Sequence, residues 1–149
     1  ALSYFYTNPP PDIILPVPMT TQKMRKRGFN QVYLMMHGWN RELTTYPALS
    51  GAHMDRDLLR KTRSTLPQTG LSRQQRAANV KNAFEIRKQS DITGKRILIE
   101  EGVYTTGSTV DECARLLRQH GAGQVHVLTL ARTPESGHAS SGSTVLNDY

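Results

Sequence analysis

The chain is short of the residues that most often announce a site. It has one cysteine, Cys113, in 149 residues. A single thiol forms no internal disulfide and builds no zinc site alone. The spacing Val110, Cys113, Ala114, Leu116, Leu117 puts it on the apolar face of a helix, so a buried small hydrophobe is expected there. The five histidines (His37, His53, His120, His126, His138) show no metal-ligand spacing. His126 alternates with Val125 and Val127, which assigns it to the other face of a strand. There is no Ser-His-Asp or Cys-His set, no Gly-x-x-x-x-Gly-Lys loop and no aromatic RNA-recognition signature. No apolar run approaches the roughly 20 residues of a membrane span. The first 18 residues lack a basic start and carry five prolines, unlike a secretory signal. A cytoplasmic protein with no membrane partner is the expectation. The oligomeric state is not written in the sequence.

Acids are scarce as well: 12 Asp and Glu against 19 Lys and Arg, for a net charge of +7. The excess is local. Residues 56–96 hold 11 of the 19 basic side chains and three acids, Asp57, Glu85 and Asp91. Lys23, Arg25, Lys26 and Arg27 form a second cluster with no acid inside it. Such fields attract polyanions: pyrophosphate, sugar phosphates, nucleotides or single-stranded nucleic acid.

A length of 149 residues fits one domain with its own core. Residues 1–11 read as an extended, proline-rich lead-in. A strand is expected at 12–17, a basic loop at 19–28, a helix at 29–44 and a loop at 46–53. A short strand follows at 57–61 and a polar, mobile loop at 62–71. Ser72 can cap a helix over 73–82. Strands are expected at 83–86, 96–100 and 124–131, with an amphipathic helix at 108–120 stopped by Gly121. Residues 134–149, rich in Ser and Gly, read as a flexible tail behind a domain at 1–133. Strands alternating with helices indicate an α/β fold with a parallel sheet. In such sheets ligands bind beyond the carboxyl ends of the strands.

The most informative stretch is Arg96-Ile97-Leu98-Ile99-Glu100-Glu101-Gly102-Val103-Tyr104-Thr105-Thr106-Gly107-Ser108-Thr109. The apolar run suits a strand covered on both faces. Thr105, Thr106, Ser108 and Thr109 place four hydroxyls around Gly107 where a helix begins. Free N–H groups at a helix start make a phosphate cradle. Carboxylates at the strand end can hold sugar hydroxyls or a metal ion. Phosphate plus ribose is the first ligand to consider.

This stretch resembles the PRPP-binding signature of type I phosphoribosyltransferases. Further motifs appear in order: Pro11-Asp12-Ile13-Ile14-Leu15-Pro16-Val17-Pro18, Arg27-Gly28-Phe29-Asn30-Gln31, Gln68-Thr69-Gly70-Leu71-Ser72-Arg73 with Arg76, Asn79-Val80-Lys81-Asn82-Ala83-Phe84, and Val125 to Thr133. Together they resemble the ComF/GntX family, competence-associated proteins with a phosphoribosyltransferase-like domain. The Cys-rich zinc module that often precedes this domain is absent from the sequence. The family has two adjacent Asp residues before Val-x-Thr-Thr-Gly. Aligned without a gap, those positions are Glu101 and Gly102. With Gly102 inserted, the pair is Glu100 and Glu101.

The resemblance implies an α/β fold of type I phosphoribosyltransferase kind, with a parallel sheet flanked by helices. It implies binding of PRPP or a similar phosphoribosyl ligand together with Mg2+, and transfer of the phosphoribosyl group to an acceptor the sequence does not identify. Glu100 and Glu101 are the candidate catalytic acids, with Glu101 a metal contact only indirectly. Thr105, Thr106, Gly107, Ser108 and Thr109 are the candidate 5′-phosphate cradle. Val17, Arg25, Lys26, Arg27, Arg63, Arg73 and Arg76 are the candidate pyrophosphate and basic-loop residues. The altered acidic pair and the basic stretch leave a second expectation: a non-catalytic factor binding PRPP or single-stranded DNA.

Overall fold

Ile13, Ile14 and Leu15 are followed by a proline that cannot donate to a sheet ladder, so the first strand is short and fully buried: β1, Ile13–Pro16. The computed structural model describes residues 9–20, 24–25, 28–29, 32, 34, 49, 51–67, 70–87, 91–104, 106–132 and 145–148. The remaining elements are β2 (His53–Met54), β3 (Leu59–Lys61), α1 (Arg73–Val80), β4 (Phe84–Ile86), β5 (Arg96–Tyr104), α2 (Ser108–Gln119), β6 (Gln124–Arg132) and β7 (Val145–Asp148). Of the expected helix at 29–44, Val32 and Leu34 are helical and most other positions lie outside the described residues.

The main sheet has the order β2-β1-β5-β6-β7. β1 pairs with β2 and β5, and β5 with β6, all in parallel. The start of β1 is tied to β5 twice: Arg96 N donates to Asp12 Oδ2 at 2.7 Å, and Asp12 N donates to Arg96 O at 2.7 Å. Alternation along the strands sorts the side chains. Ile13, Leu15, Val17, Ile97, Ile99, Val125 and Val127 join one core with Val110, Cys113, Ala114 and Leu117 of α2. Ile14, Leu98, His126 and Leu128 are buried on the opposite face. The expected parallel α/β fold is therefore observed, with Cys113 buried in the core and His126 on the other side of its strand.

Three local expectations are corrected. β3 and β4 do not enter the parallel sheet; they form a separate antiparallel ribbon. Leu59 and Phe84 of that ribbon pack into the α2-side core, so it lies over the sheet rather than in it. His53, expected to end a loop, instead forms β2 with Met54 and extends the sheet beside β1. Val145–Asp148, expected in the flexible tail, pair antiparallel with His126 to Thr129. The outer edge of β6 otherwise presents a row of unpaired backbone groups, and β7 satisfies them.

α1 begins with the expected cap. Ser72 Oγ accepts from Gln75 N at 3.2 Å, and Gln75 Oε1 accepts from Ser72 N at 2.8 Å, a reciprocal capping box. α2 ends as expected at Gly121, whose φ of +93° suits glycine. The next turn brings two backbones together: a Cβ on Gly123 would lie 2.6 Å from Gly94 O. Gly123→Ala is expected to cost about 1–3 kcal/mol of stability through overpacking against main chain. Urea denaturation checks this, and an unchanged midpoint contradicts it.

Candidate phosphoribosyl site

β5 and α2 frame the site, and β5 runs further than the sequence suggested. Its pairing with β6 continues through Val103↔Ala131 and Tyr104↔Arg132, so the strand ends at Tyr104 instead of Glu100. The turn into α2 is correspondingly short. Thr105 lies outside the described residues. Thr106 and Gly107 bend the chain, and Gly107 is the N-cap residue of α2 at φ +78°. That left-handed conformation favours glycine. A glycine at this position brings no side chain of its own to cap the first-turn N–H groups. Asp111 N closes the first helical bond to Gly107 O at 2.8 Å. The Thr106 and Ser108 hydroxyls are 3.1 Å apart, and Ser108 is buried. Thr106, Gly107, Ser108 and Thr109 are thus gathered at one helix start, where the dipole favours an anion.

The two acids are not side by side. Adjacent strand residues point to opposite faces. Glu101 continues the row Ile97, Ile99 on the α2 side, where it feels Lys61 and Asp111. Burial pushes its carboxyl up to about 7, with the Lys61 ammonium opposing that rise and Asp111 adding to it. Glu100 continues the row Ile14, Leu98 on the other face and is completely buried. Neither of its carboxylate oxygens has a hydrogen-bond partner among the described residues, and burial pushes it up to about 7. Gly102 shares that second face; a Cβ built on it would lie 3.4 Å from Val32 Cγ2.

The expected basic groups divide in the same way. Val17 is buried, and its N–H donates to Glu100 O at 2.9 Å, so this backbone donor is already used. Arg63 Nη2 donates to Asn79 O at 2.9 Å and Lys81 O at 2.8 Å, closing the C-terminal end of α1. Arg76 Nε donates to Leu71 O at 2.9 Å. Asn79 clamps the 62–67 segment: its Oδ1 accepts from Leu66 N at 3.0 Å and its Nδ2 donates to Leu66 O at 2.9 Å. The part of the expected mobile loop that is described is therefore docked on α1. Arg25 and Arg73 are exposed. Lys26 and Arg27 lie outside the described residues.

Lys61 was not among the expected site residues. Its ammonium donates to Thr65 Oγ1 at 2.8 Å and lies 5.4 Å from the centroid of the Phe84 ring. Nothing in a basic stretch distinguishes one lysine from its neighbours. The available signal was alternation, with Leu59 inward, Arg60 outward and Lys61 inward again. Glu112, also buried, is structural: Asn82 N donates to its Oε1 at 2.7 Å and Arg115 forms a two-point pair with it. Those Arg115 bonds hold its carboxyl below the usual carboxylate range.

Among the described residues, no group of three or more His, Cys, Asp or Glu side chains could hold a metal ion by itself. Oxygen donors at a strand end, with one carboxylate on the α2 side, suit a hard cation only when a ligand supplies the other oxygens. No described helix is long and apolar enough to cross a membrane.

A parallel sheet whose central strand β5 runs into a glycine-started helix, with the Glu101 carboxylate on the side of that helix, is the arrangement expected of a type I phosphoribosyltransferase-like domain. Comparison with known proteins agrees. The chain belongs to the phosphoribosyl transferase domain family, whose profile matches residues 53–145. It is 38% identical over 123 residues to the DNA utilization protein YhgH of Escherichia coli O157:H7, covering 83% of this chain and 50% of that protein. It is 33% identical over 123 residues to Competence protein F of Haemophilus influenzae, covering 82% of this chain and 51% of that protein. The chain thus spans about half the length of the curated relatives it matches. These relatives bear out the resemblance to competence-associated proteins. Two solved structures share the fold. A phosphoribosylpyrophosphate synthetase from Mycobacterium smegmatis superposes with a TM-score of 0.50 at 16% identity, covering 88% of this chain and 31% of that one. A Trypanosoma cruzi hypoxanthine phosphoribosyl transferase gives 0.51 at 11% identity, covering 95% and 64%.

Proposed function

We propose that this domain binds PRPP, or a closely similar phosphoribosyl ligand, at the carboxyl end of β5 and transfers the phosphoribosyl group to an acceptor. The observation that carries this reading is the left-handed N-cap Gly107 at the start of α2, where β5 ends, with the Glu101 carboxylate on the α2 side of the sheet. The 5′-phosphate sits on the first-turn N–H groups and the hydroxyls of Thr106, Ser108 and Thr109. Glu101 accepts hydrogen bonds from the ribose hydroxyls. Mg2+, carried by the oxygens of the ligand, supplies charge neutralisation for the departing pyrophosphate. Arg25 and Arg73, both exposed, are the basic groups assigned to the departing pyrophosphate. In the transfer, the acceptor's lone pair forms the new bond to the anomeric carbon. The carbon–oxygen bond to pyrophosphate breaks, and pyrophosphate leaves with the electron pair.

A second reading has specific support. Arg60, Arg73 and Lys81 are exposed on β3 and around α1, and Gly102 provides no carboxylate. A factor that binds single-stranded DNA, and keeps the phosphate cradle without efficient transfer, fits those features and the names of the relatives. Two assays separate the readings. Mg2+-dependent release of pyrophosphate from PRPP, stimulated by an acceptor, is expected under the first. Salt-sensitive binding of a single-stranded oligonucleotide with no pyrophosphate release supports the second and contradicts the first.

A further inference from the structure

Two apolar rows in the α2-side core end in opposite charges. On β5 the row is Ile97, Ile99, then Glu101. On β3 it is Leu59, then Lys61, while Arg60 between them is exposed opposite Glu85 on the outer face of the ribbon. Leu59, Phe84, Ile97 and Ile99 belong to one buried cluster, so the two rows face the same interior. Cys113, fully buried on the inner face of α2 in that same core, lies within electrostatic reach of both charges. Lys61 is itself held from two directions, by the Thr65 hydroxyl at 2.8 Å and the Phe84 ring at 5.4 Å.

We propose that Lys61 is a positioning residue of the phosphoribosyl site, pairing across the core with Glu101 and holding that carboxylate for its contact with the ribose hydroxyls. The proposal rests on the phosphoribosyl reading above. The need for it follows from this chain's own departure at Gly102. One carboxylate faces the ligand on the α2 side, on a glutamate with one more rotatable bond than aspartate. Fixing that chain costs side-chain entropy on binding unless another group has already oriented it. A half-buried ammonium anchored on Thr65 and Phe84 does so. Because Thr65 belongs to the segment that Asn79 and Arg63 dock on α1, the orientation of Glu101 is tied to the position of the basic loop.

The test is a double-mutant cycle on Lys61→Met and Glu101→Gln, read first without ligand and then with PRPP and Mg2+. Without ligand, urea unfolding should show coupling of about fivefold in the unfolding constant, whereas additive effects overturn the pairing. With ligand, Lys61→Met should weaken PRPP by about tenfold in the native background and by less than about twofold beside Glu101→Gln. Lys61→Arg, which keeps the charge, should retain most of the affinity. Equal losses in both backgrounds would mean that Lys61 touches the ligand itself, and would overturn a role through Glu101. Coupling without ligand, in a native protein that has no affinity for PRPP, would overturn the phosphoribosyl reading and the positioning role with it.

Discussion

Glu100→Met is expected to stabilise the protein at pH 8 by about 3 kcal/mol and to leave its stability at pH 4 nearly unchanged. The glutamate is completely buried, both its oxygens lack partners among the described residues, and its carboxyl is pushed from 4.5 up to about 7. A carboxyl with a raised value in the folded state holds its proton more tightly folded than unfolded. Between pH 4.5 and about 7 the folded protein therefore carries one more proton than the unfolded chain, and stability falls as pH rises. Below 4.5 both states are protonated and no penalty applies. Above about 7 the carboxylate is ionised while buried, and the penalty is complete. Methionine has similar length and no charge, so it fills the same space. Urea unfolding of both proteins from pH 4 to 9 measures the effect. The native curve should slope downward across this window more steeply than the variant's; parallel curves contradict the account. PRPP affinity should change by less than about twofold, because the acid assigned to the sugar is Glu101 on the other face.

Glu101→Gln should weaken PRPP binding at least tenfold, about 1.4 kcal/mol or more, while the fold persists. Gln keeps the shape and one carbonyl acceptor but loses the charge that makes a carboxylate a strong acceptor for hydroxyl donors. It also removes the negative charge on which the Lys61 ammonium acts. Calorimetry with PRPP and Mg2+ reads the affinity, and circular dichroism verifies the fold. An affinity equal to that of the native protein would move the sugar contact away from Glu101. Restoring a second acid with Gly102→Asp is the complementary change. The 3.4 Å approach of Val32 Cγ2 to a Cβ there is tight, so the side chain fits only with a small shift of Val32.

The strand from Arg96 and the helix from Ser108 to its Gly121 stop were readable because their signals are local: an apolar run, a glycine among hydroxyls, a 3.6-residue period. The Ser72 capping box was equally local. What failed needed long-range information. Nothing in Leu59–Lys61 and Phe84–Ile86 says whether two short strands join a parallel sheet or pair with each other. Val145–Asp148 is short and follows a Ser- and Gly-rich stretch; its strand state is set by the free edge of β6, 16 to 22 residues earlier. The separation of Glu100 from Glu101 was available in principle. Two neighbouring residues on a strand face opposite sides, and reading them as a pair set that alternation aside. Arg63 and Arg76 show the limit of charge as a guide, since part of each guanidinium is committed to backbone carbonyls of α1 and its lead-in.

The most direct test of the phosphoribosyl reading is calorimetric titration of PRPP, with and without Mg2+, into the native protein and into Gly107→Trp and Thr106→Ala. Gly107→Trp fills the helix start and strains a position at φ +78°; Thr106→Ala removes one cradle hydroxyl and leaves the backbone untouched. Micromolar, Mg2+-dependent binding by the native protein is expected, abolished by the first variant and weakened severalfold by the second. No heat of binding in either condition, from a protein whose circular dichroism shows it folded, would contradict a phosphoribosyl site at the start of α2.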